Sequence, residues 1–257
     1  FFTVKREHLF GRAASGLKVN GFATIKAVPF APAAWKGWTF GDSDKPFSPV
    51  YRQLGNQLLD EDGKAEFKLE TTPAWRPPAA LQVVQQAVVT ESSGRTVTSY
   101  GATPLDVYPF YIGLRLLQEG TVRVGARQKI SVVEVAPAGV AYAEAKPLVM
   151  KLVRVTWTSA LRKNAEGTYE WKSDRQLTVI REDTLSASGT ARDWSFQIDQ
   201  TGEYLVQASD PDSGAATSLR FSAASADQSW VEWSREKPDH IELTLDRERY
   251  RPGEVAR

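Results

Sequence analysis

No cysteine occurs anywhere in the sequence, and that absence removes disulfide frameworks, cysteine-based zinc sites, thiol nucleophiles and any thioester formed within these residues. It leaves the compartment open, because a disulfide-independent fold suits the cytoplasm and the periplasm alike. Histidine is nearly as scarce. His8 and His240 are the two in the chain, and they lie so far apart that a histidine triad or a histidine-rich metal site has nothing to draw on. No run reaches the ~18 apolar residues of a membrane helix, and no basic-then-apolar signal segment opens the chain. Charge of one sign is lacking too: 32 basic residues face 31 acidic ones, for a net charge of +1. No general attraction toward nucleic acid, an anionic membrane or a strongly charged substrate follows.

What is present is the composition of a folded protein. Hydrophobic residues make up 42% and charged residues 25% of the 257 positions, too apolar for disorder and enough for one large domain or two ordinary ones. Apolar and polar residues alternate in many short runs, the mark of strands with one buried face. Leu17, Val19, Ala23 and Ile25 form one such set, Phe67 and Leu69 another, then Trp194, Phe196 and Ile198, and finally Ile241, Leu243 and Leu245. Turn signals separate them: Asp62-Gly63, Ser93-Gly94, Glu166-Gly167, Thr201-Gly202 and Ser213-Gly214, where glycine supplies the positive φ of tight turns. Residues 79–91 have helix-forming composition, but Leu81, Val83, Ala87 and Val89 also fit period two, and Ser92-Ser93-Gly94-Arg95 closes a hairpin onto Thr96–Tyr100. The expected fold is therefore all-β, as tandem antiparallel sandwiches of immunoglobulin or fibronectin-III type.

Boundaries are expected near Val107 and again near residues 236–239, giving units 1–107 and 108–236 and the start of a third, truncated unit over 237–257. The chain opens on Phe1 and closes on a pattern from His240 to Arg257 with no room to finish, so a piece of something longer is expected. The Pro-rich stretch Pro29–Pro49 reads as a long connection inside the first unit, its prolines disfavouring a central strand. Its Trp35, Trp38, Phe40 and Phe47 suit folding back on that sandwich.

Candidate sites weigh lightly. Asp60-Glu61-Asp62-Gly63 and Asp210-Pro211-Asp212-Ser213-Gly214 have oxygen-rich spacing, but the residues twelve positions from their first aspartates are Thr71 and Phe221, not the glutamate of a calcium loop. Asx-type turns explain them, and likewise Asp42 and Asp44. Carboxylate pairs drawn from Glu66, Glu70, Glu144, Glu170 or Asp193 lie on solvated strand faces, and Gly11–Gly16 lacks the lysine of a phosphate loop. No catalytic, cofactor-binding or metal-binding residue is assigned. Of the eight tryptophans, Trp35 and Trp38 are the best ligand-stacking candidates, Trp157, Trp171 and Trp194 read as core or inter-sheet packing, and Trp230 and Trp233 as a seam to the third unit.

The most specific segment is Leu243–Ala256, in which a strand, an Asp-containing turn and Tyr250-Arg251-Pro252-Gly253-Glu254 follow one another. With Leu9–Leu17 and Val28-Pro29-Phe30, Asp62–Phe67 and Tyr111–Arg115, it resembles the macroglobulin domains of the bacterial alpha-2-macroglobulin family, and the resemblance covers nearly the whole chain. It implies macroglobulin-type sandwiches placed just before the bait-bearing part of a broad-spectrum protease trap, which rearranges around a protease that cuts its bait. It further implies a non-enzymatic scaffold role, no cofactor, proteases as partners through the parent protein, neighbouring macroglobulin domains as direct partners, and no nucleic acid. A periplasmic bacterial parent, lipid-anchored to the inner membrane and used in defence, is implied too, with membrane attachment belonging to the parent alone. The competing reading is an adhesion or carbohydrate- or protein-binding module of a cell-surface protein, which needs Trp35 and Trp38 exposed together. A hydrolase lacks any convergent motif.

Overall fold

The structure is a computed structural model that describes residues 1–8, 11–72, 74–117, 121–163 and 167–225. The expectations for Trp230, Trp233, Ile241–Leu245 and Tyr250–Gly253, and the boundary near residues 236–239, lie outside the described residues. Strands dominate: β1 Phe2–Lys5, β2 Lys18–Val28, β3 Thr39–Phe40, β4 Val50–Leu58, β5 Lys64–Phe67, β6 Ala80–Thr90 and β7 Thr96–Leu105 come first. Then follow β8 Tyr111–Leu116, β9 Val122–Arg123, β10 Arg127–Val135, β11 Lys146–Lys163, β12 Tyr169–Ala187, β13 Arg192–Gln197, β14 Gly202–Ser209 and β15 Ala216–Ala224. One 3-10 turn, Ala33–Trp35, is the sole helical element among the described residues. Residues 80–90 adopt the strand rather than the helix, because pairing with β2 and β7 buries Leu81, Val83, Ala87 and Val89.

The first sandwich sets the sheet β4-β2-β6-β7 against the pair β1-β5. Val19, Ala23 and Ile25 point inward from β2, as their alternation predicts, and Phe67 packs from β5. Gly21 exists so that Phe67 can lie flat on the sheet: a Cβ there would sit 2.5 Å from the ring, closer than atoms pack. The second sandwich sets β13-β10-β8-β3 against β12-β11-β14-β15-β9. Its core runs from Tyr108, Phe110, Ile112 and Leu114 to Leu148, Met150, Trp194, Phe196, Tyr204 and Phe221. The pairing is antiparallel throughout except for a short parallel contact, β15 with β9.

One expectation is corrected here. The connection 29–49 does not fold back on its own sandwich; β3, inside it, pairs with β8 at Thr39↔Leu114 and Phe40↔Gly113 and becomes an edge of the second sandwich's sheet. Phe47 alone of the four named aromatics returns to the first core. Gly113 makes the crossing possible, since a Cβ there would lie 2.8 Å from both the Phe40 ring and Val133.

Candidate functional site: the seam between the sandwiches

Residues of the connection from Phe30 to Lys45 are built into the second sandwich. Phe30 stacks on Tyr111 with centroids 3.9 Å apart and meets Phe40 edge-on at 5.2 Å, so Val28, Phe30 and Phe40 extend the second core. The 3-10 turn brings Trp35 to the β10–β11 loop, where its indole Nε1–H donates to the Gly139 carbonyl at 2.9 Å. Trp38 packs edge-on against Trp35 and lies under the Arg115 guanidinium, 4.6 Å from the ring centre. Both tryptophans are half-buried and spent on this joint. The exposed stacking platform required by the adhesion reading is therefore not formed.

Beyond β3 the chain turns at Gly41, whose φ of 89° and clearance from Ala79 and Pro78 admit glycine alone. Gly41 and the residues after it clamp β14 and β15. Gly41 N donates to Thr217 Oγ1 at 3.0 Å, Ser218 N to Gly41 O at 3.1 Å, and Ser43 N to Ser218 Oγ at 3.1 Å. Asp42 is buried and accepts from Gln207 Nε2 at 2.9 Å, while its backbone N–H donates to Pro78 O at 2.8 Å. Asp44 receives Arg175 Nη1 at 2.9 Å and also Arg220 Nη2. Burial alone would push its carboxyl up, but hydrogen bonds from Arg175 and Arg220, together with their charge, hold it below the usual carboxylate range. Lys45 donates to Tyr108 Oη at 3.2 Å and to Gly214 O at 3.1 Å, and burial lowers its pKa. Tyr108 Oη–H in turn donates to Pro77 O at 2.7 Å; burial pushes the phenol up to about 12, so it stays a donor.

The four-residue run from Asp42 to Lys45 thus ties β6's approach, β14, β15 and the start of β8 together with charge-assisted hydrogen bonds. Such a joint performs no bond chemistry; it fixes the relative placement of two sheets. Asp42 and Asp44 do form the expected Asx turn, Asp44 N donating to Asp42 Oδ1 at 3.1 Å, but the sequence did not disclose that the turn grips the other sandwich. The other acidic turns spend their oxygens locally. Asp60 Oδ1 accepts from Asp62 N and Lys64 N, and Asp210 accepts from Asp212 N, Ser213 N and Ser213 Oγ. His8 lies at an exposed strand end. Trp194 is buried as expected, its Nε1–H on Asp183 Oδ2 at 2.8 Å. Trp171 departs from the expectation: it is 42% exposed. One buried group escaped notice, Glu134, fully enclosed with both carboxylate oxygens lacking a hydrogen-bond partner.

Comparison with known proteins now bears on this arrangement. Residues 1–105 match the family described as the bacterial alpha-2-macroglobulin MG5 domain, and residues 113–224 match bacterial macroglobulin domain 6. The chain belongs to the bacterial alpha-2-macroglobulin family. An alpha-2-macroglobulin of Pasteurella multocida is 22% identical over 98% of this chain, which spans 13% of that protein's length. The native conformation of Escherichia coli alpha-2-macroglobulin superposes with a TM-score of 0.65 at 24% identity, over 98% of this chain and 17% of that one. A trypsin-activated form of the Escherichia coli protein matches with a TM-score of 0.58 at 23% identity and the same coverage. These likenesses establish macroglobulin β-sandwiches as the fold. The chain spans less than a fifth of the length of either relative.

Proposed function

We propose that this chain is a scaffold segment of a bacterial alpha-2-macroglobulin, a broad-spectrum inhibitor that traps proteases after they cut its bait. In this reading residues 1–107 and 108–236 are two successive macroglobulin units and 237–257 open a third. The parent works in the periplasm, anchored by lipid to the inner membrane. The observation that carries the scaffold role is the seam: β3 crosses from one unit into the sheet of the next and the Asp42–Lys45 run locks it there. A strut that transmits a rearrangement between bait and trap needs its units to move together, and a shared strand edge does that. The relative activated by trypsin supports proteases as the partners of the parent.

The test is to incubate the purified 257-residue chain in molar excess with several unrelated proteases, following a large protein substrate beside a small chromogenic peptide. No protection of either substrate is expected. Protection of the large substrate alone would place trapping in these two units, and loss of both activities would make the chain a direct inhibitor. Fractionation of cells producing the parent checks the location; recovery in the cytosol would overturn that part.

A further inference from the structure

The second sandwich carries a strand face that is gripped near its base, where Asp44 holds Arg175, and whose far end carries an apolar patch that the described residues leave exposed. β11 and β12 pair from Lys146↔Ala187 out to Lys163↔Tyr169, whereas β14 accompanies β11 only between Val149 and Val155. Past Val155 the two strands project as a ribbon. Residues directly opposed across a ladder share a face, so Leu161 lies with Trp171, Val155 with Leu177 and Val153 with Val179. Alternation puts Leu161 on the side of Val153 and Val155, opposite the core side of Leu148, Met150 and Leu152. Near the base this face is closed by a small cluster of Val153, Val155 and Leu205 with Trp157. On β12 beside that base, Leu177 is 48% and Val179 50% exposed, and at the tip Leu161 is 52%, Tyr169 67% and Trp171 42% exposed. Ser159, Ser173 and Arg175 separate the two groups on this face, so the tip around Leu161, Tyr169 and Trp171 is an apolar patch of its own, of the kind that marks a surface something covers.

The topology says what is near enough to cover it. β15 runs toward Ala224, with Ala223 opposite Gly202, and Glu203 stands opposite Val155. The chain therefore leaves the sheet at the end from which the ribbon projects. The residues that follow include Trp230, Trp233 and the alternating Ile241, Leu243 and Leu245, apolar groups in need of a surface. We propose that the ribbon face around Leu161, Tyr169 and Trp171 docks the polypeptide that follows Ser225 in the same molecule. This rests on the scaffold reading and names its next neighbour. A second copy of the chain is the less favoured occupant, since each copy's own continuation already emerges beside its ribbon.

The experiment places the photo-crosslinker benzoylphenylalanine at position 169 of the 257-residue chain, with the same group at position 51, an exposed tyrosine of the first sandwich, as comparator. Links from 169 are expected within residues 226–257 of the same molecule, at a yield independent of protein concentration. Links between molecules that rise with concentration, or a yield at 226–257 no greater than from position 51, would overturn the proposal. A second measurement pairs Leu161→Glu with Trp171→Glu. Amide exchange over residues 241–245 is expected to quicken about tenfold while β14 and β15 stay protected; unchanged exchange over 241–245 would contradict docking. Neither readout depends on protease inhibition, so failure here and failure of the scaffold reading are told apart.

Discussion

The two sandwiches differ in how they close. The second packs four strands against five around one continuous core that reaches from Phe110 to Phe221. The first packs four strands against two, and its buried apolar residues fall into two small clusters, one around Val19, Phe67 and Val89 and one around Ile25, Leu81 and Val83. Stability follows buried area, so the larger unit is the anchor and the smaller one leans on it. The direction of the strand exchange agrees: the first unit gives β3, Phe30 and Phe40 to the second.

The strongest test of that asymmetry removes one large core side chain from each unit. Phe110→Ala should cost about 3–5 kcal/mol and raise hydrogen exchange in both units, because the seam loses the surface it docks on. Phe67→Ala should cost about as much, yet leave β10 and β14 protected. Equal spread in both directions would show one cooperative body rather than an anchor and a dependent.

A second difference is chemical. Within residues 1–107 the charged side chain buried among the described residues is Asp42, which is spent on the seam, whereas the second unit encloses Glu134, whose pKa burial raises to about 7 from an ordinary 4.5, with the Asp210 charge adding and Lys146 opposing. Between those values the native state keeps a proton that the unfolded chain releases. The protein is thus most stable, from this group, below about pH 4.5 and loses stability as pH rises through 7, by about 3 kcal/mol at most. Melting temperature measured from pH 5 to 8 should fall, and Glu134→Gln should flatten that slope. A slope unchanged in the variant would assign it elsewhere.

Smaller effects are expected at the seam. Asp44→Ala strands Arg175 and Arg220 and should cost about 2 kcal/mol, less than a fully buried pair because both arginines keep some water. The pH sense is opposite to that of Glu134. Asp44's pKa is lowered, so its contribution is present above about 3.8 and is lost as pH falls through its native value. Trp35→Phe removes one hydrogen bond to Gly139 and should cost about 1 kcal/mol. Denaturant melts of both variants check the order; a larger loss for Trp35→Phe would move the centre of the seam from the Asp44 clamp to the tryptophan pair.

How much of this was legible in the sequence follows from the range of each interaction. Hairpins were, because a turn such as Ser93-Gly94 and the alternation on both sides of it are local; β6 and β7 lie where that pattern put them. The family was legible too, since its motifs are local strings. The destination of residues 29–49 was not. A two-residue strand carries no period, and its partners Gly113 and Leu114 lie far along the chain. Trp171 misled for a related reason: period two reports that a residue sits on a strand face, not whether that face is covered. Glu134 did leave a signal, a carboxylate in phase with Ile130 and Val132 on an inward-facing run.

The strand exchange also has a consequence in time. Gly41 meets Thr217 across 176 residues, and synthesis at roughly 5–20 residues per second separates their emergence from the ribosome by about 9 to 35 seconds. Within that interval β2 and β4–β7 are available to one another and β3 meets β8 part-way through, while Asp42 and Asp44 wait unmatched for Arg175, Gln207 and Arg220. The joint closes last, after the strands on both sides of it exist. The newborn chain therefore passes through a stage in which the first unit is folded but still carries an open hand, and the quick completion of β14 and β15 is what keeps that hand from closing on another molecule.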